Sequence, residues 1–294
     1  MERSLKTAII TGSTGFVGVH LVSELLVRGV KVSALCRENS PNIDRLPSGV
    51  DIIFDANKLP CADVFYHLAW ESASGQGRSD AVLQSGNAEM TLIALLTAKK
   101  LDCGRFLALG TIYENLAGQV VAAAKSGGSD FYILSKNYAH LMANQLAYKL
   151  GIDFVWCKIC HPIGRLIKAE QMMAFVVSNL IRGIKPDFGP ALTPYDIVAV
   201  EDVAQGLYLL GSCGELSERE YYIGSGCPRL LYKWLEDTHR ILDASVPLGI
   251  GERPDDGLRF DEEWFDITLL QTETGYAPKI SFVDAVSNVA KSVV

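Results

Sequence analysis

The chain has 294 residues, 49% of them hydrophobic, and a formal net charge of −7. That is enough apolar material for one large domain or two modest ones. The negative charge, with no Lys/Arg cluster against it, argues against a nucleic-acid-binding surface, and no apolar run reaches the ~18 residues of a membrane span. The start, MERSLKTAIITG, has neither the apolar stretch nor the cleavage site of a signal peptide. Seven scattered cysteines, odd in number, fit reduced thiols, so a cytoplasmic protein is expected.

The stretch TAIITGSTGFVGVHLVSELL, residues 7–26, organises the rest of the chain. A short apolar run reads as a strand buried on both faces. Gly12, Gly15 and Gly18 come next at three-residue spacing. Val17, Leu21, Val22, Leu25 and Leu26 then share one helix face, and Gly29 stands where a C-terminal cap belongs. Strand, glycine turn and helix are the context of a dinucleotide-binding fingerprint. The glycines allow a tight turn, a close approach of backbone to a pyrophosphate and close helix–strand packing, and the helix N-terminus offers free N–H groups to the anion. A glycine pattern alone is weak, since a ligand-free turn looks the same. After the second strand, Lys31–Leu35, comes Cys36-Arg37 rather than a carboxylate for the ribose 2′-hydroxyl. Arg37 is placed to meet a 2′-phosphate, which points to NADP, with NAD as the alternative.

Strands are predicted at 6–10, 31–35, 51–54, 63–68, 105–109 and 153–159, and helices at 16–28, 80–100 and 130–150. Their alternation predicts a parallel sheet covered by helices on both faces. The connection at 57–62 is too short for a full crossover helix, so the third-to-fourth link is expected to be trimmed. Asn87 is expected to open the long helix MTLIALLTAKK. Cys157 and Cys160 form a C-x-x-C pair, but on a strand residues three apart face opposite sides. No second pair completes a zinc site, and no metal is expected. From about residue 161 prolines and glycines become frequent. A helix at 169–183, a strand at 196–200, a helix at 202–211 capped by Asp202, a strand at 221–223 and helices at 230–243 and 281–292 are predicted. Irregular sequence of this kind beside a regular sheet often carries specificity.

The chemistry centres on SDFYILSKNYAHLMANQLAYKL, residues 129–150. Ser129 or Asp130 can cap this helix and Gly151 can end it. Tyr132 and Lys136, four apart, lie side by side on it. A tyrosine near pKa ~10 is a poor base at neutral pH, and an adjacent ammonium favours its phenolate. Tyr132 could then exchange a proton with a carbonyl or alcohol oxygen while a nicotinamide exchanges hydride. Thr111, just after the fifth strand, has the hydroxyl to hold that oxygen.

With TGSTGFVG at 11–18, DVFYHLAW at 63–70, Asn87, GTIYE at 110–114, YILSK at 132–136, HPIG at 161–164, YDIVAVEDVAQGL at 195–207 and TGYAPKISFVDAV near the end, the chain resembles the extended short-chain dehydrogenase/reductases. The nearest group among them is the nucleotide-sugar epimerases, dehydratases and reductases. The resemblance implies an α/β fold, a Rossmann-type doubly wound parallel sheet with a smaller, mixed C-terminal substrate-binding region. The cofactor domain would be 1–160 with 191–211 returning to it, and the substrate region 161–190 with 212–294. It implies a catalytic triad of Thr111, Tyr132 and Lys136. It implies cofactor contacts from Gly12, Thr14, Gly15, Phe16, Val17, Arg37, Asp55, Leu68, Ala69, Trp70, Lys136, His161 and Ile163. His161, where this family often has asparagine, has a second reading as a plain structural histidine, and His67 reads as structural. Substrate contacts are expected from Thr111, Glu114 and Tyr132. Arg229 and Arg253 are expected to fork onto a diphosphate, although each could equally be a surface ion-pair residue.

The segment ALGTIYENLAG departs from the family's Ser-Ser-x-x-Val-Tyr-Gly. Placing Glu114 on the glutamate of a Gly-Ser-x-x-Glu-Tyr variant keeps a hydroxyl, Thr111, in role. The family's 4,6-dehydratases resemble Thr-Asp-Glu here. Ile112 and Tyr113 supply no acid or base, so dehydration is disfavoured. Arg37 favours an exchangeable NADPH, hence reduction of a 4-keto group on a nucleoside-diphosphate (deoxy)hexose. A nucleotide-sugar 4-epimerase with tightly bound NAD is the alternative, and an NADP-binding redox-sensing module is the alternative of another class. Family members often dimerise through the helices at 80–100 and 130–150, which suggests a homodimer.

Overall fold

The computed structural model describes residues 4–123 and 127–293. Residues 124–126, part of the loop expected between Thr111 and Tyr132, lie outside them. In chain order come β1 (Thr7–Thr11), α1 (Phe16–Val27), β2 (Lys31–Leu35), β3 (Asp51–Ile53), β4 (Val64–His67), α2 (Ala81–Lys100) and β5 (Arg105–Leu109). Next are α3 (Ala117–Ala122), α4 (Asp130–Leu150), β6 (Asp153–Ile159), β7 (His161–Ile163), α5 (Met172–Ile181), β8 (Asp187–Phe188), β9 (Pro194–Tyr195) and β10 (Ile197–Ala199). The chain closes with α6 (Val200–Ser212), β11 (Glu220–Ile223), β12 (Arg229–Leu230), α7 (Leu231–Ile241), β13 (Gly249–Ile250), α8 (Thr268–Thr274) and α9 (Phe282–Val293).

The main sheet has seven strands in the order β11-β6-β5-β4-β1-β2-β3, all paired parallel. Its two faces are visible in adjacent residues of β1. Ile9 and Ile10 are both fully buried, yet Ile10 packs with Val17, Leu21 and Leu25 of α1 and Val203 and Leu207 of α6, while Ile9 packs with Leu95 of α2 and Ala139 and Ala143 of α4. A strand alternates faces, so each isoleucine anchors a different helical layer. Burying each contributes about 1.5–3 kcal/mol. The α2–α4 layer turns alanines inward, Ala88, Ala94 and Ala98 against Ala139, Ala143 and Ala147, which lets two long helices lie close to the sheet. The third-to-fourth link is indeed trimmed: a single 3-10 turn at 56–58 stands between β3 and β4.

Beyond β6 the chain makes small two-stranded sheets, β7 with β10, β9 with β12 and β8 with β13. A local core of Val176, Leu180, Phe188 and Leu235 ties α5, β8 and α7 together.

Several local expectations are corrected. Residues 220–223, grouped by the sequence with the substrate region, form β11 and complete the main sheet against β6. Asp202 does not cap α6. It sits inside the first turn, Ala199 being the cap residue, and its carboxylate accepts the N–H groups of Lys279 and Ile280 at 2.9 and 3.0 Å. Asn87 does not open a helix either, because α2 starts at Ala81 under an Asp80 cap. From its second turn Asn87 holds Glu71 through the backbone N–H and C=O, each at 2.8 Å. The short helices α3 and α8 carry no periodicity strong enough to be predicted.

Candidate active site

The glycine turn is built as its spacing requires. Gly12 has φ +72°, and a Cβ there would lie 2.6 Å from the Ala69 nitrogen and Leu68 carbonyl carbon. A Cβ on Gly18 would sit 2.1 Å from the Gly12 oxygen. Backbone from β1, β4 and α1 therefore meets with no room for side chains. Helix α1 begins at Phe16 without any side-chain cap, so its first-turn N–H groups remain open. They face a cleft of about 540 Å³ lined by Gly12, Gly15, Phe16, Val17 and Gly18 on one side.

The same cleft is also lined by Leu68, Trp70, Thr111, Tyr132, Lys136, His161 and Arg253. The cleft thus gathers most of the residues expected at the site. Tyr132 and Lys136 come from the first two turns of α4 and are both buried. Lys136 Nζ donates to the Leu109 carbonyl at 2.7 Å and lies 3.7 Å from the centre of the Trp70 ring. Burial lowers this ammonium to about 7, with Glu114 pulling it up and Arg78 pushing it down. Trp70 is fixed by its indole N–H to Gln84 at 2.8 Å and meets Tyr132 edge to face. Thr111 Oγ1 accepts the Tyr113 N–H at 3.3 Å, which leaves the hydroxyl proton to donate into the cleft.

His161 lines the cleft. Its Nε2 is buried without a partner, and burial, reinforced by Arg78, holds it down at about 4, so it faces the cleft as a neutral imidazole. His67 is structural in geometry, bonded to Thr11 at 2.8 Å and Thr91 at 3.2 Å, and burial with Lys136 nearby holds it at about 3.

Other expected residues lie elsewhere. Glu114 is 0% exposed and does not line the cleft. It closes a capping box with Thr111, accepts the Trp156 indole at 2.9 Å and His140 Nδ1 at 2.9 Å, and pairs with Lys158 at 3.3 Å. No lone pair is left for a substrate. Arg229 is also committed, to Asp237 at 2.7 Å and to the Trp234 face at 3.8 Å. Ile163 is fully buried in β7. Thr14 pairs with Ser40 at 3.2 Å. Asp55 caps the turn at 56–58. Arg37 is 79% exposed and 3.6 Å from Glu71. Ala69 contributes its backbone beside Gly12.

Two features have no counterpart in the sequence reading. Arg78, from the loop before α2, stacks 4.0 Å from the Tyr132 ring centre and 4.9 Å from that of Tyr113. Tyr113 shares a 2.6 Å hydroxyl contact with Tyr195, and burial raises both phenols. Arg78 and these two tyrosines, Tyr113 and Tyr195, also line an adjoining pocket of about 280 Å³. Ligand atoms of Glu114, His140 and Glu220 lie within 4.8 Å of one another, but Lys158 already stands between the two carboxylates, 2.7 Å from Glu220.

The NAD dependent epimerase/dehydratase family matches residues 8–224, and the chain belongs to that family. A curated relative, dTDP-glucose 4,6-dehydratase of Streptomyces niveus, is 23% identical over 94% of this chain and 89% of its own. Among solved structures, UDP-N-acetylglucosamine 4-epimerase of Methanobrevibacter ruminantium superposes with a TM-score of 0.78 at 17% identity, over 100% of this chain and 98% of that one. RMD of Pseudomonas aeruginosa, solved with NADPH, superposes at 0.72 with 18% identity over 100% and 99%. No helix among the described residues is long and apolar enough to cross a membrane.

Proposed function

We propose that the protein is an NADP(H)-dependent oxidoreductase that reduces the 4-keto group of a nucleoside-diphosphate (deoxy)hexose. The observation that carries this reading is one cleft holding the glycine turn, Thr111, Tyr132 and Lys136 together. The cradle around Gly12 and Gly18, too tight for any Cβ, and the open N-terminus of α1 fit a pyrophosphate. Gly15, Phe16, Val17, Leu68, Trp70, His161 and Lys136 would line the rest of the dinucleotide. Arg37, exposed beyond the end of β2, would take a 2′-phosphate and Asp55 the adenine end. When bound, the nicotinamide supplies hydride.

The chain's residues then handle the proton and the oxygen. Thr111 donates a hydrogen bond to the substrate oxygen. Tyr132 gives that oxygen its proton, and Lys136, held beside it on α4, favours the phenolate left behind. Ile112 and Tyr113 offer no carboxylate for elimination, which supports reduction over dehydration. Arg253 and Lys168 line the cleft, have no ion-pair partner among the described residues and suit a diphosphate. The cofactor part would be 1–160 with 191–211, and the substrate part 161–190 with 212–294 apart from β11.

A homodimer through α2 and α4 is part of this reading. Ile93, Leu96, Leu141 and Met142 are exposed on those two helices, an apolar face that a second copy would cover. All seven cysteines are free, in keeping with a cytoplasmic setting.

A panel of nucleotide-linked 4-keto sugars, each followed by NADPH oxidation, tests the reaction. Turnover of at least one with stoichiometric NADPH loss is expected. Tightly held NAD in the purified protein, with interconversion of sugar epimers and no net NADPH use, would establish a 4-epimerase instead.

A further inference from the structure

Arg105 and Arg78 are both drawn inward from solvent, and they are treated differently. Arg105, 1% exposed, is satisfied by Asp153 and by the carbonyls of Leu210, Cys213 and Gly214. Arg78 is half-buried, and its guanidinium donates to the Ser129 hydroxyl at 3.4 Å. Its Nε is buried with no partner, and among the described residues no carboxylate lies within ion-pair distance of it. A guanidinium drawn out of water without an anion is costly, so its placement calls for a ligand.

The loop that presents Arg78 is built to hold it there. Gln84, fully buried in α2, accepts the Trp70 indole and donates to the carbonyls of Gly77 at 2.9 Å and Ser72 at 3.3 Å. Gly77 passes so close to Ser72 that an added Cβ would lie 2.5 Å from it. Ser72, at φ +53°, and Gly75, at φ +76°, bend the chain between them. Buried amides and a strained turn thus fix the guanidinium against the face of Tyr132, at the junction of the main cleft and the adjoining pocket.

We propose that Arg78 holds an anionic oxygen group of the substrate beside Tyr132, either the diphosphate or a carboxylate carried by the sugar. The inference rests on the nucleotide-sugar reading above and adds to it a substrate-anchoring residue. The buried Nε–H, without a partner on a guanidinium held against Tyr132 and Ser129, is free to donate to an oxygen of such an anion.

The test is binding of UDP- and dTDP-glucose and of UDP- and dTDP-glucuronate to the full chain saturated with NADP, by calorimetry, for wild type, Arg78→Gln and Arg78→Lys. Arg78→Gln is expected to weaken binding about tenfold or more, with partial recovery in Arg78→Lys and NADPH affinity unchanged in both. Loss confined to the glucuronates assigns Arg78 to a sugar carboxylate, and equal loss for all four assigns it to the diphosphate. Wild-type affinity for all four in Arg78→Gln overturns the proposal, and a shifted pH profile alongside would assign Arg78 to the Tyr132 phenol alone. Wild-type protein that binds NADPH but none of the four sugars would reject the nucleotide-sugar reading, and this inference with it. Should Arg78→Gln lose NADPH binding through misfolding, Arg78→Lys is read in its place, and undiminished sugar affinity there overturns the proposal.

Discussion

Two clusters of inward-facing charge meet at Gly110-Thr111, and the molecule treats them in opposite ways. Behind the strand ends, Glu114 is surrounded by Lys158, His140, Trp156 and the Thr111 N–H. Every charge there has an opposite charge or a donor. In front, Lys136 and Arg78 face the cleft with a carbonyl, a hydroxyl and aromatic rings, and no carboxylate in contact among the described residues. A compensated buried cluster can hold a loop in place. An uncompensated one is a standing demand for an anion or a developing negative charge. The first cluster positions Thr111, and the second is where chemistry is expected.

The largest test of this division is Tyr132→Phe. It removes one oxygen from the front cluster and leaves the back one whole. Turnover should fall by about 10²–10⁴-fold with dinucleotide affinity unchanged, as read by steady-state kinetics beside fluorescence titration of NADPH. Turnover retained within a few-fold would mean that the front cluster is not catalytic.

Glu114→Ala strikes the back cluster. It takes the buried acceptor from the Trp156 indole and the Thr111 N–H and leaves Lys158 and His140 with Glu220 as their remaining carboxylate. A loss of about 1–3 kcal/mol in folding stability is expected from the unsatisfied buried donors, measured by urea unfolding, with a smaller loss for Glu114→Gln. Activity loss without stability loss would instead return Glu114 to the substrate.

The third test uses pH. Lys136 sits near 7 in the folded protein because of burial, well below the ordinary lysine value of ~10.4. Below about pH 7 both folded and unfolded chains carry the proton, and the folded state bears the full penalty of burying an ammonium. Between about pH 7 and pH 10 the unfolded chain binds more protons, so stability rises with pH. Lys136→Met has no such group. Its stability advantage over wild type should be widest near about pH 6 and close toward pH 10. A gap that stays constant across that range would show that the ammonium is not held in the front cluster as described.

How much of the molecule was legible in the sequence depends on how local each feature is. The glycine spacing, the i,i+4 pair on α4 and the two-sided burial of β1 are written within a dozen residues, so the sheet, its helices and the Thr111, Tyr132, Lys136 grouping were readable. Arg78 was not. It belongs to no periodic element, and its neighbours Tyr113, Ser129 and Tyr132 lie far along the chain. Glu114 was legible in a different sense. Thr111-Ile112-Tyr113-Glu114 is a Thr-x-x-Glu capping box, and that pattern, rather than a likeness to substrate-binding glutamates, describes what the carboxylate does. The strand expected at 221–223 forms, at Glu220–Ile223, but its place at the sheet edge depends on pairing with β6, sixty-odd residues earlier, which no local pattern encodes.

Arg229 and Arg253 give the smallest and finest comparison. In the sequence each stands in a glycine- and proline-rich stretch and both suit a diphosphate. The structure separates them by compensation. Arg229 lies against Asp237 and Trp234, while Arg253 lines the cleft and has no ion pair among the described residues. Arg229→Ala should therefore cost about 1 kcal/mol of stability, an ion pair at a partly exposed site plus a cation–π contact, and leave KM for the sugar substrate unchanged. Arg253→Ala should alter stability by no more than about 0.5 kcal/mol and raise KM several-fold at constant kcat, the signature of lost uniform binding. Thermal melts read beside kinetics decide the matter. If both variants raised KM alike, compensation by a neighbour would not be what separates a structural arginine from a binding one in this protein.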